Sequence, residues 1–160
     1  EIAQCLVGSE MCIRDRNLDM VREAADAGAD IITIHQESTT RLYSCIEKIK
    51  SRGVKAGVVL SPATNEDTLK YVLDKIDMIL LMTINPGEAG PGFHEELLTK
   101  IKNVRELIGD RDIDLEVDGG IDNTNIAKCK EAGVNVFVSG GYVFKGDIAE
   151  KIKTLREALK

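Results

Sequence analysis

The sequence predicts an α/β domain built on a parallel sheet. Three observations carry the prediction: helical and strand patterns alternate from Asn17 onward, the strands are short β-branched or apolar runs, and several helix stripes close on a glycine. Residues 17–27 carry Leu18, Val21, Ala24 and Ala25 at helical spacing and end at Gly28, giving way to a β-branched run over residues 30–35. Leu42, Cys45, Ile46 and Ile49 form the next stripe, Gly53 sits where a C-terminal cap is wanted, and residues 54–60 read as a buried strand.

After Ser61-Pro62-Ala63-Thr64, a helix starting near Asn65 shows Leu69, Val72, Leu73 and Ile76 on one face and leads to an apolar strand over 78–84. The loop 85–92, with three glycines and two prolines, opens into a helix bearing Leu97, Leu98, Ile101, Val104, Leu107 and Ile108, and a strand follows over 113–117. Asp118-Gly119-Gly120 precedes a helix ending at Gly133. The strand over 134–138 then runs into Ser139-Gly140-Gly141 before a closing helix over about 147–159. The count is five strands, each followed by a helix, with one helix ahead of them. A closed (β/α) barrel needs eight strands and typically ~250 residues, about 200 at the lower limit. Either three strands are missing, or the fold is another one, with a five-stranded doubly wound sheet as the alternative.

Residues 1–16 fit neither reading, because they have no sustained period and hand over abruptly at Arg16/Asn17 to a well-formed helix. Ser9 to Asp15 back-translate to a run resembling the transposon end ligated onto DNA in library preparation. The expectation is therefore a non-native, adapter-derived segment in place of the natural N-terminal part of the gene, against a natural irregular tail.

A composition 43% hydrophobic and 30% charged is that of a soluble globular protein. The net charge of -6 and pI near 5.0 argue against a nucleic-acid surface or an anionic membrane, both of which recruit clustered Lys and Arg. A small anion remains compatible, since backbone N–H groups and helix N-termini hold one without adding net charge. Cys5, Cys12, Cys45 and Cys129 show no CxxC or Cys/His spacing, so neither a zinc site nor a redox motif is expected, and reduced thiols in a cytoplasmic protein are. No apolar run approaches the roughly 20 residues of a membrane span.

In (β/α) barrels the working residues lie just after the strands. Asp118 there stands beside two glycines that let backbone approach a ligand, although Asp-Gly alone is also common turn chemistry. Ser139-Gly140-Gly141 follows the last strand, and counted back from the C-terminus the two Gly pairs fall where barrels commonly bind phosphate. The 85–92 loop is long for a βα connection, as lids and binding loops are. Met82, on the preceding strand, reads by itself as core. His35 and Glu37 share a face by alternation, but neither a metal site nor catalysis follows from the pair.

Taken in order, these segments resemble the ribulose-phosphate 3-epimerase family from about Asn17 to the C-terminus. The resemblance rests on Ala27-Gly28-Ala29-Asp30 with Ile34-His35-Gln36-Glu37, Val54-Lys55-Ala56-Gly57-Val58 with Pro62-Ala63-Thr64, Leu81 to Gly87 with Phe93, Val117 to Ile121, and Val138 to Gly141 with Phe144. It implies an incomplete TIM (β/α)8 barrel of the ribulose-phosphate-binding type, with strands four to eight present in residues 17–160. It also implies an isomerase of the pentose phosphate pathway, with Asp118 as one of two acid/base aspartates and a ligand of one divalent metal ion (Zn, Fe, Mn or Co). Gly119, Gly120, Gly140 and Gly141 would hold the phosphate, and Gly87, Glu88, Ala89 and Gly90 would close over the substrate beside Met82.

Proton removal from C3, next to the C2 ketone, and its return on the opposite face would interconvert D-ribulose 5-phosphate and D-xylulose 5-phosphate. Glu88, Pro91 and Ser61 replace the family's usual aromatic, Gln and Asn, which keeps D-allulose-6-phosphate 3-epimerase as the close alternative. The strand-two His-x-Asp, the strand-three His and the strand-one Ser have no counterpart here, so the metal site is expected to be incomplete and the chain inactive. A non-catalytic phosphate-binding half barrel is the alternative from another class. The expected partners are a small sugar phosphate and, through an uncovered sheet edge, a second copy in a homo-oligomer.

Overall fold

The computed structural model describes residues 17–87 and 92–160. Helix α1 (Asn17–Asp26) leads into strand β1 (Ile31–His35), and α2 (Leu42–Lys50) into β2 (Lys55–Leu60). Two 3-10 helices (Glu66–Tyr71 and Leu73–Lys75) precede β3 (Met78–Met82), and α3 (Leu97–Ile108) precedes β4 (Asp114–Asp118). Helix α4 (Ile126–Glu131) leads to β5 (Val136–Val138), and α5 (Gly140–Val143) and α6 (Ile148–Ala158) close the chain. The segment 1–16 lies outside the described residues.

All five strands are parallel, and their order across the sheet is their order along the chain, β1-β2-β3-β4-β5. A doubly wound sheet reverses direction at a switch point. This sheet never does, so the doubly wound alternative is overturned and the strands form an arc of a (β/α) barrel. Among the described residues the arc stays open, with β1 and β5 at its two edges.

Register separates the two faces, because residues side by side in a parallel ladder point the same way. Ile32, Ile34, Val58, Leu60, Ile79, Leu81, Leu115, Val117 and Phe137 pack on the helix stripes of Val21, Ile46, Ile49, Ile101, Val104 and Ile108. The other face carries His35, Val59, Leu80, Glu116 and Val136 in one row, with Met82, Asp118 and Val138 in the row nearest the strand C-termini.

Three differences from the sequence reading have local causes. The helix expected from Asn65 is a pair of 3-10 turns, because Val72 at φ −123°, ψ −6° interrupts it, yet Leu69, Val72, Leu73 and Ile76 are all buried as the spacing requires. Strand β3 stops at Met82 and not at Ile84, because Gly119 at φ 122° turns the β4 chain out of the ladder. Strand β5 begins at Val136, since the Val134 N–H is spent on the Cys129 carbonyl at the end of α4. At the closing helix, the Asp147 side chain accepts from the Glu150 N–H, an N-cap that fixes the start of α6.

Candidate active site at the C-terminal rim of the sheet

Asp118 is the last residue of β4, level with Met82 of β3 and Val138 of β5 on the concave face. Burial pushes its carboxyl above the usual aspartate range, and a hydrogen bond from the Gly119 N–H works against that rise. A carboxylate lifted in this way is a stronger base at neutral pH than a free one, as proton abstraction needs.

The turn that follows is held by its carbonyls. The Thr83 N–H donates to the Asp118 carbonyl at 2.8 Å, and the Thr83 hydroxyl reaches the carbonyls of Asp118 and Gly119. Asn125 Nδ2 donates to the Gly120 carbonyl at 2.8 Å, and Ser139 Oγ to the Ile121 carbonyl at 2.6 Å. Glycine is required at both turn positions. A Cβ on Gly119 would lie 2.6 Å from Ile84 Cγ1 and 2.8 Å from its N, and one on Gly120 would lie 2.8 Å from the Phe93 N, with φ positive at both. Gly140 and Gly141 differ: among the described residues a Cβ on either would meet nothing within 4 Å, so open space lies in front of them there.

The sequence-derived site residues therefore fall on one rim. Met82, Asp118, Gly119 and Gly120 stand together, Gly140 and Gly141 join them through the Ser139 bond, and Gly87 follows β3 on the same side at φ 85°. Glu88, Ala89 and Gly90 lie outside the described residues.

A second cluster on this rim joins the His35–Glu37 pair, to which the sequence reading gave no role, to partners it did not name. Glu37 leaves the strand alternation, sitting in a 3-10 turn (Gln36–Ser38), with its Oε2 3.5 Å from His35 Nδ1. Its Oε1 accepts from the Ser61 N–H at 2.8 Å and from the Thr64 hydroxyl. Burial pushes this carboxyl up, but the Thr64 and Ser61 hydrogen bonds outweigh it and hold the group below its ordinary value.

From the other side, Lys100 of α3, only 9% exposed, donates to the carbonyls of Ser61 (2.8 Å), Pro62 (3.2 Å) and Thr64 (2.6 Å). Its burial lowers its pKa, against the pull of Glu66 and Glu37. The signal was present in the sequence: Lys100 interrupts the apolar stripe between Leu97 and Val104. Thr83 and Ser139 lay inside quoted motifs, but nothing in the sequence reports which carbonyl a hydroxyl reaches.

A divalent metal would need further ligands beside Asp118. Among the described residues no group of three or more His, Cys, Asp or Glu side chains could hold one, so these residues do not by themselves fit the ion. Cys45 and Cys129 are buried free thiols. Among the described residues no helix is long and apolar enough to cross a membrane.

Residues 11–144 match the ribulose-phosphate 3 epimerase family. The chain is 47% identical over 127 residues to the ribulose-phosphate 3-epimerase of Serratia marcescens, covering 78% of this chain and 60% of that protein. It is 43% identical over 135 residues to the chloroplastic ribulose-5-phosphate-3-epimerase of Arabidopsis thaliana, covering 81% of this chain and 48% of the relative. The chain thus spans about half to three fifths of the length of these relatives. In fold it is similar to 3-keto-L-gulonate-6-phosphate decarboxylase from Vibrio cholerae, with a TM-score of 0.73 at 21% identity over 91% of this chain and 68% of that one.

Proposed function

The chain belongs to the ribulose-phosphate 3-epimerase family, and we propose that it supplies the phosphate cradle and one acid/base, Asp118, of an enzyme interconverting D-ribulose 5-phosphate and D-xylulose 5-phosphate. The observation that carries this reading is the position of Asp118: a carboxyl raised by burial, on the concave face, beside a turn that only glycine can make. The reaction breaks the C3–H bond next to the C2 ketone. Asp118 takes that proton from one face, the electrons delocalise onto the ketone oxygen, and a second group returns a proton to C3 from the other face.

Phosphate is a dianion near neutral pH, and a chain of net charge -6 binds it best through backbone N–H groups. The open space before Gly140 and Gly141 leaves room for it, and the Ser139 bond keeps this loop beside Gly119 and Gly120. Gly87 and the loop residues 88–90 are the proposed cover, with Met82 at the wall. The family's divalent metal would take Asp118 as one ligand, with the remaining ligands outside the described residues. The setting proposed is the cytoplasm, and the pathway is the pentose phosphate pathway.

One acid/base cannot serve both faces of C3. The 160 residues alone are therefore expected to give negligible turnover, because catalytic groups acting as a unit fail together. The test has two arms. In the protein completed to its relatives' length, Asp118→Asn should lower turnover by about 10²-fold or more, and a mutant of normal turnover would refute the assignment. In the chain itself, robust epimerisation with added divalent metal would show that the second group is supplied within these residues. Parallel assays with D-allulose 6-phosphate decide between the two sugars.

A further inference from the structure

We infer that Thr83 is a positioning residue for Asp118, acting through the peptide plane that joins Asp118 to Gly119. This rests on the reading of Asp118 as the acid/base. In a trans peptide the carbonyl of one residue and the N–H of the next point in opposite directions, so fixing the carbonyl aims the N–H. Thr83, fully buried at the exit of β3, fixes the Asp118 carbonyl from two donors, its own N–H at 2.8 Å and its hydroxyl at 3.0 Å. The N–H so aimed is that of Gly119, the residue next to Asp118, at the end of β4.

The same hydroxyl reaches the Gly119 carbonyl and orients the next peptide, that of Gly120. Asn125 and Ser139 continue the pattern at Gly120 and Ile121, and Asn125 Oδ1 receives the Asp122 N–H at 3.0 Å. Four consecutive carbonyls thus have donors from three separate places: the β3 exit, the residue before α4, and the β5 exit. Packing needs no hydroxyl at position 83, since valine has nearly the same shape. What valine lacks is the one hydroxyl proton shared between these two successive carbonyls beside Asp118. The close fit of Gly119 against Ile84 keeps the β3 and β4 exits in contact, so the turn registers a change at position 83 directly.

The experiment uses the 160-residue chain, 15N-labelled, with backbone order parameters measured for the wild type, Thr83→Val and Thr83→Ser. Wild type and Thr83→Ser should show about 0.85 at Gly119 and Gly120, and Thr83→Val should fall below about 0.6 there while β2 and β3 stay near about 0.85. Unchanged values in Thr83→Val, or an equal fall through the whole sheet, would overturn the positioning role, as would a Thr83→Ser variant as loose as Thr83→Val. Should Thr83→Val not fold, Thr83→Ala, which also removes the hydroxyl, decides: Gly119 and Gly120 should lose order, and rigid amides there would reject the positioning role.

Inorganic phosphate added to the same samples separates this inference from the proposed function. Shifts at Gly119, Gly120, Gly140 and Gly141 are expected in wild type and Thr83→Ser, and weakened by at least about fivefold in Thr83→Val, as loss of one net hydrogen bond implies. If phosphate shifts nothing even in wild type, the cradle reading fails while the order parameters still judge Thr83.

Discussion

Lys100→Met tests whether a buried ammonium ion organises the loop after β2. Methionine keeps most of the stem packing and removes only the donor. The ammonium makes contacts of 2.8 and 2.6 Å with Ser61 and Thr64, and a weaker one of 3.2 Å with Pro62. Leaving a buried acceptor without its donor costs about 1–3 kcal/mol. The three residues are half-buried, so water can reach part of this loop and the lower end applies to each. Two strong bonds and one weak one then sum to about 2–3 kcal/mol, and relief of the ammonium's desolvation offsets some of it, leaving a net loss of about 2 kcal/mol.

For a chain of this size that is a fall in Tm of about 4–8 °C. Urea unfolding should show a lower midpoint with an unchanged m-value, the mark of lost stability without a change in the surface exposed. The control is Lys102→Met on the exposed side of the same helix, which should stay within about 0.5 kcal/mol of wild type. A Lys100→Met chain as stable as the control, or more stable, would refute the carbonyl-holding role and make Lys100 a tolerated burial.

Asp118→Asn should stabilise the fold near neutral pH and should do so less as pH falls. The folded carboxyl titrates above its unfolded value, so its contribution is fully present below the unfolded pKa and is lost as pH rises through the raised folded one. Thermal melts of both chains across that window should diverge as pH increases, and parallel curves would contradict the burial assignment. Gly120→Ala should cost about 2–4 kcal/mol, from positive φ and the 2.8 Å approach to the Phe93 N, read by chemical denaturation. Gly141→Ala, inside α5 where an added Cβ meets none of the described residues within 4 Å, should leave stability equal or raise it by up to about 1 kcal/mol, yet weaken inorganic phosphate binding by titration. Burial pushes the Cys129 thiol up to about 12, so alkylation at pH 8 followed by peptide mapping should leave it unlabelled until the chain unfolds.

The elements legible in the sequence were those whose side chains report burial. The stripe Leu42, Cys45, Ile46, Ile49 and the run over 54–60 appear where periodicity puts them, because one apolar face against one sheet leaves a pattern in residue types. The same logic explains the failure near Asn65. A 3-10 pair buries Leu69, Val72, Leu73 and Ile76 as an α-helix would, so the pattern cannot tell them apart. Periodicity alone left strand order open, since an arc and a doubly wound sheet need the same buried strands; the family resemblance implied the barrel order, and the ladder pairing bears it out. Asp118 and the Gly pairs were legible as motifs, whereas Thr83, Asn125, Ser139, Glu37 and Lys100 act on backbone groups, whose partners no residue type announces.

That division has a physical consequence for the rim. Burial of Asp118 raises the free energy of its ionised form in the folded chain. Such a group opposes the compact state near neutral pH, so the surrounding structure must be held by something other than the site itself. The holding bonds run to carbonyls: Thr83, Asn125 and Ser139 on the β4 turn, Lys100 on the β2 loop. Carbonyl anchors suit this task, because they fix the backbone without occupying the concave face where a substrate would sit. Glu37 takes the complementary part, accepting the Ser61 N–H while Lys100 holds the Ser61 carbonyl, so one residue is gripped from both ends of its backbone. Removing Lys100 should therefore free the loop after β2 and leave the β4 turn intact, and removing the Thr83 hydroxyl should do the reverse.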